Sequence, residues 1–360
     1  MTIVLQPPRA QWHDKLLLKI SKWPKFMSLF LSITILGGFE CALNVWRRRK
    51  QPDIAIQSQK RRLLWIQEAQ ATQGDHPRVA IVTGGNAGLG LETAKALVEA
   101  GYRTIIACRS VKKGQEAVAQ IEAETGIKNM AEVMPLDLSS FESIKAFALD
   151  FKIQGHGLDV LVNNAGIMDV PFTLTKDGFE SQFGVNHLGH YLLAMELLPV
   201  LNRSSQGRII VLSSNAMFPS HGIPYDHLRS KKSYSRLGYY AHSKLANLLF
   251  IKGLKRRLDQ AGSRITVNAV HPGACRTNLF ESGHPLMRAF MAPFKPMFRS
   301  AEEGALTSIY LALAPELDTV SGEYFSDQIP RQVHQAALSE DAQEQLWVKS
   351  VEYTGVDFKL

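Results

Sequence analysis

From Arg78 onward, short apolar runs bounded by glycine alternate with longer amphipathic stretches. Residues 79–82, 104–107, 132–135, 160–162, 209–212 and 265–270 have the length expected of buried strands, several of them rich in branched side chains. Residues 91–99, 112–124, 141–151, 178–198 and 239–259 read as the intervening helices. A helix over 301–313 then precedes a last strand around Tyr324. Strands apolar on both faces, each followed by a crossover helix, predict an α/β fold. It is a Rossmann-like, doubly wound parallel sheet flanked by helices.

The region upstream has a different pattern. Residues 26–46 form an apolar run, followed at once by Arg47, Arg48, Arg49 and Lys50. As a helix, the run would extend about 31 Å, enough for a bilayer core. Glu40 and Asn44 oppose that reading, and Glu40 would lie only about 6 Å from the midpoint of the span. A membrane anchor, a helix packed on the globular part and a targeting segment remain open readings. The anchor reading divides the chain into a basic N-terminal region with a membrane anchor (1–50), a connector (51–77) and a catalytic domain (78–360). In the connector, Lys60, Arg61 and Arg62 would stay near anionic headgroups.

Charge sharpens this division. The chain carries +8, of which residues 1–76 account for +7, so the main domain is nearly neutral. That excludes a nucleic-acid groove spread over the domain. Three widely spaced cysteines build neither a disulfide framework nor a metal cluster, so no metal site is expected. They fit a reducing compartment, and the basic flank after the run places the main domain on the cytosolic side. The sequence leaves homodimerisation open.

After the first strand comes Thr83-Gly-Gly-Asn-Ala-Gly-Leu-Gly90. Glycines at a strand-to-helix turn bring backbone N–H groups close to a pyrophosphate. Further along lie Asn163-Asn-Ala-Gly166, the pair Tyr240 and Lys244, and Pro272-Gly273 with Thr277. In this order and spacing, over residues 77–330, the chain resembles the short-chain dehydrogenase/reductase family. The resemblance implies cofactor contacts from Gly84, Asn86, Gly88, Leu89, Gly90, Asn164, Ala165, Gly166, Tyr240, Lys244, Pro272, Gly273 and Thr277, with Asp137 at the adenine. Arg109 stands at the end of the second strand, where NAD-preferring sites usually carry an acid. A cation there suits the 2′-phosphate of NADP(H), with Lys113 as an auxiliary contact.

The same resemblance gives Asn186, Ser214, Tyr240 and Lys244 the catalytic roles. Tyr240 would exchange a proton with the substrate oxygen, and Ser214 would hold that oxygen in place. Lys244 would lower the tyrosine pKa and bind the nicotinamide ribose, and Asn186 would hold a water of the proton relay. The runs Tyr240-Ala-His-Ser-Lys-Leu-Ala-Asn247 and Tyr324-Phe-Ser-Asp327, with Trp347 and Glu352, resemble the retinol dehydrogenase branch. This implies a lipophilic aldehyde or ketone and its alcohol, for example a retinoid, handled at the endoplasmic reticulum or another endomembrane. A sterol or fatty carbonyl is the alternative substrate, and a silent NADP-binding scaffold the alternative function. Residues 280–298, rich in Phe and Met, read as a substrate lid or a membrane contact.

Overall fold

A computed structural model of the chain describes residues 19, 38–40, 42, 44–45, 54–74, 76–276 and 292–360. After helix α1 (Ile54–Ala71), strands and helices alternate: β1 (Val79–Thr83), α2 (Gly88–Glu99), β2 (Arg103–Cys108), α3 (Val111–Thr125), β3 (Ala131–Pro135), α4 (Phe141–Ile153) and β4 (Val160–Asn163). Short turns then lead into α5 (Gly189–Leu201), β5 (Arg208–Leu212), α6 (Arg236–Gln260), β6 (Thr266–His271) and α7 (Ala301–Leu313). The chain closes with β7 (Tyr324–Ser326), β8 (Ile329–Arg331) and α8 (Glu340–Thr354).

The sheet order is β3-β2-β1-β4-β5-β6-β7-β8, parallel throughout except for the β7–β8 pair. Side chains alternate across the strands, so one strand feeds two cores. Ile81, Ile105, Leu161, Ile209 and Val267 pack beneath α4, α5, α6 and α8. Ala80, Val82, Ile106, Val162 and Ile210 pack beneath α1, α2, α3 and α7. Because β1 lies between β2 and β4, the chain leaves it in opposite directions. The crevice at its carboxyl end is therefore open to a ligand.

Local signals explain several helix ends. Ser110 caps α3, which stops at Gly126 in the left-handed region, and Ser300 with Glu303 forms a capping box on α7. The stretch read as a connector forms α1, which packs on α7 and α2 and buries Trp65, Ile66 and Ala69. The Trp65 and Tyr310 rings pack at a tilt with centroids 4.8 Å apart, and Arg62 pairs with Glu99 rather than standing free.

The hydrophobic helix expected over 26–46 lies mostly outside the described residues. Among those described, no helix is long and apolar enough to cross a membrane. Residues 280–291 of the expected lid, and Thr277 before it, also lie outside them. The rest of that stretch forms a 3-10 turn over Ala292–Met297, and Phe298 is buried against Ala274.

Candidate active site

The turn after β1 is shaped by close approach. Gly84 adopts φ +65°, and a β-carbon there would lie 3.2 Å from Ala165. A β-carbon on Gly90 would lie 2.5 Å from both Asn164 Nδ2 and the Gly84 oxygen. Asn164 Nδ2 donates to the Thr83 oxygen at 2.8 Å, while Thr83 Oγ1 accepts from the backbone N–H groups of Asn164 and Ala165. The turns after β1 and β4 are thereby stapled together. No side chain caps the N-terminus of α2, so its first N–H groups remain available to an anion.

A cavity of about 630 Å³ opens over this turn. It is lined by Gly84, Asn86, Gly88 and Leu89, by Asn164, Ala165 and Gly166, and by Tyr240, Lys244 and Pro272. Arg109 and Asp137 line its outer end. Burial opposes the Asp137 charge, but hydrogen bonds from Ser139 and the cations Lys176 and Arg109 hold its carboxyl below the usual range. Gly90, Lys113 and Gly273 stand back from the cavity. The Lys113 backbone N–H is used in capping by Ser110, and its side chain is exposed. A cradle that a single β-carbon would fill, an uncapped helix start and this volume fit a dinucleotide.

At the inner end, Ser214, Tyr240 and Lys244 come together. Ser213 Oγ donates to the Lys244 oxygen at 2.8 Å and ties β5 to α6, leaving Ser214 to hydrogen-bond Tyr240. Lys244 Nζ lies 5.6 Å from the Tyr240 ring centroid and donates to the Leu212 oxygen at 3.0 Å. The expectation that Lys244 lowers the tyrosine pKa is not met among the protein's own groups. Burial pushes Tyr240 up to about 12; the Ser214 hydrogen bond acts against this and the Glu40 charge adds to it. Lys244 is itself buried and pushed down to about 8, so its charge is costly to hold there.

Asn186 sits in a π turn, Gly184–Leu188, a local widening that the sequence pattern did not distinguish from ordinary helix. Its amide bonds Ile167 in both directions, N–H to Oδ1 and Nδ2 to O, each at 2.9 Å. Asn186 therefore fixes the loop after Gly166. At Gly166 a β-carbon would lie 3.3 Å from Asn186 Oδ1 and 3.7 Å from Lys244 Nζ, so this glycine lets the two approach.

The sequence from 78 to 285 matches the family described as short chain dehydrogenase. The chain belongs to this family. It is similar to retinol dehydrogenase 12 of Mus musculus, with 42% identity over 282 residues, covering 78% of this chain and 88% of the relative. A polyprenol dehydrogenase of Mus musculus is 40% identical over 282 residues, covering 77% and 84%. The crystal structure of an uncharacterized protein from Mycobacterium paratuberculosis superposes with TM-score 0.63 at 34% identity, covering 79% of this chain and 98% of that one. The relatives place this short-chain dehydrogenase in the retinol dehydrogenase branch. Its cofactor is a nicotinamide dinucleotide.

Sequence reasoning missed one part of this dehydrogenase's site. Glu40 Oε1 accepts from Asn215 Nδ2 at 2.7 Å and from His271 Nε2 at 2.9 Å. Asn44, one helical turn later, accepts from Arg299 Nε and Nη2 at 3.2 Å. Among the described residues no group of His, Cys, Asp and Glu is arranged to hold a metal. Glu40 and Asn44 were the visible clues, as polar side chains in an apolar run that required partners.

Proposed function

We propose that this dehydrogenase uses NADP(H) to interconvert a lipophilic aldehyde or ketone and its alcohol, with Tyr240 as general acid and base. The observation that carries the reading is the setting of Tyr240, which is buried in an apolar cluster with Met168, Ala216 and Leu237 beside the dinucleotide cavity. Such a collar excludes water and accepts hydrocarbon next to the Tyr240 hydroxyl, which can exchange a proton. The names of the retinol and polyprenol relatives support the same substrate chemistry.

Bound nicotinamide supplies or accepts the hydride. The glycine turn and the N-terminus of α2 would hold the pyrophosphate, Arg109 would favour the 2′-phosphate of NADP(H), and Lys244 would bind the ribose. Ser214 holds the substrate oxygen while Tyr240, kept protonated by its surroundings, donates to it during reduction. In alcohol oxidation the proton moves the other way.

The protein works at a membrane surface in this reading, with the catalytic domain on the cytosolic side. Ile56, Leu63 and Leu64 are exposed on α1, with exposed Lys60 and Arg61 among them, a pattern suited to anionic lipid. The contacts of Glu40 and Asn44 keep that part of the apolar run on the protein. Shallow insertion fits better than a complete crossing.

Incubating the full chain with NADPH deuterated at the transferable position and a membrane-lipid extract tests the reading. Deuterium should appear at the carbinol carbon of hydrophobic alcohols. Label confined to small polar products would overturn it.

A further inference from the structure

The later part of the apolar run and the catalytic centre meet at one carboxylate oxygen of Glu40. Asn215 follows Ser214 directly, and its amide is held at both ends: Oδ1 accepts from the Tyr324 hydroxyl at 2.8 Å, and Nδ2 donates to Glu40. The Asn215 backbone N–H points to His271 Nδ1 at 3.4 Å, which leaves Nε2 as the protonated nitrogen that donates to Glu40. Ser214 itself caps the short turn Asn215–Met217 by accepting from the Ala216 N–H. Every bond in this chain bears on the position of Ser214.

We propose that Glu40 is a positioning residue of the active site: through Asn215 and His271 it docks the N-terminal segment onto the carboxyl ends of β5 and β6 and fixes the Ser214 turn. Asn44 makes the second attachment. Glu40 and Asn44 are four residues apart, so they share one helix face, and both enter polar sockets on the catalytic domain. The segment is thus part of the wall around the reacting groups, and not a bare tether.

The electrostatic setting points the same way. Burial works against the Glu40 charge, but His271, Asn215 and Arg299 together hold its carboxyl below the usual range. The carboxylate therefore stays ionised, and it acts across to Tyr240 against formation of the phenolate. The charged and titratable groups around it are His271 on β6, Arg299 before α7 with its partner Asp327, Cys275, and Tyr240 on α6. A negative charge on this side keeps Tyr240 in the protonated form needed before transfer and makes its phenolate harder to form. That last role rests on the reading of Tyr240 as proton donor; the docking does not.

Two measurements on the full chain decide the proposal. The first is a denaturant-unfolding cycle with Glu40→Ala, Asn215→Ala and the double variant. Docking predicts that the double variant loses less stability than the sum of the single losses, whereas additive losses would overturn it. The second compares Glu40→Gln with the parent. Glutamine can keep both hydrogen bonds through its one carbonyl oxygen while losing the charge. Tyrosine ring-carbon labelling follows Tyr240 by NMR, its signal identified by disappearance in Tyr240→Phe. In Glu40→Gln its ionisation curve should move to lower pH by a few tenths of a unit or more. Coincident curves would reduce Glu40 to a structural clasp and refute its positioning role. Neither measurement needs a substrate, so failure to find turnover would count against the proposed function alone.

Discussion

At the turn after β1, Gly84 and Gly90 stand close in sequence, and each is required by backbone or side-chain atoms 2.5–3.2 Å from where a β-carbon would be. At the Glu40 socket, the partners are Asn215, separated by 175 positions, and His271, further along still. The first site is a local constraint on backbone shape, so it leaves a pattern in consecutive residues. The second is an assembly of ordinary polar side chains that acquires meaning only when the sheet brings β5 and β6 together. Cofactor chemistry here is written locally, and the wall around the substrate is written in tertiary structure.

Tyr240→Phe makes the widest separation between the two regions. It removes the hydroxyl beside Ser214 and leaves the glycine cradle untouched. Turnover should fall by roughly 10²–10⁴-fold, the usual range for a positioned acid–base group. Cofactor affinity, read by quenching of protein fluorescence, should change little. Equal losses in both would mean that the two regions are not separable in this way.

Gly90→Ala strikes the other region. The added methyl would meet Asn164 Nδ2 and the Gly84 oxygen, and the second of these is backbone that cannot swing aside. Overpacking of this kind costs roughly 1–3 kcal/mol. Thermal unfolding should report that loss, and dinucleotide affinity should fall with it because the same contact shapes the pyrophosphate turn. Wild-type stability together with wild-type affinity would show that the turn has slack.

The limits of the sequence reading follow the same division. Strands 79–82, 104–107 and 209–212 were each recognised to within two residues at either end, because branched apolar side chains facing two cores leave a continuous signal. β8 was not anticipated: Ile329–Arg331 has three residues, one of them Pro330, and no alternation to detect. The expected helix over 178–198 proved to be a short helical turn, the π turn at Asn186 and then α5, since one extra residue per turn barely disturbs an apolar pattern. Ser214 and Tyr240 were legible through family resemblance. The rise in the Tyr240 pKa was not, because burial is a property of the packed site.

Arg109→Ala has the smallest expected effect and concerns the single cofactor feature that the cradle geometry does not determine. Both nicotinamide dinucleotides share the pyrophosphate that the glycine turn accepts, so the choice between them must come from the outer end of the cavity. There the exposed Arg109 side chain faces the same space as the Asp137 carboxylate. With the guanidinium present, an added 2′-phosphate gains a charge-assisted hydrogen bond worth roughly 1.5–3 kcal/mol. With alanine there, Asp137 remains and opposes the phosphate. The variant should keep its melting temperature, because exposed substitutions rarely cost more than about 0.5 kcal/mol. NADPH affinity should fall about tenfold to a hundredfold, while NADH affinity stays within a small factor of the parent. Titrating both cofactors against both proteins checks this directly, and a parallel loss for NADH would move the selecting charge away from Arg109 to the lysines at the start of α3.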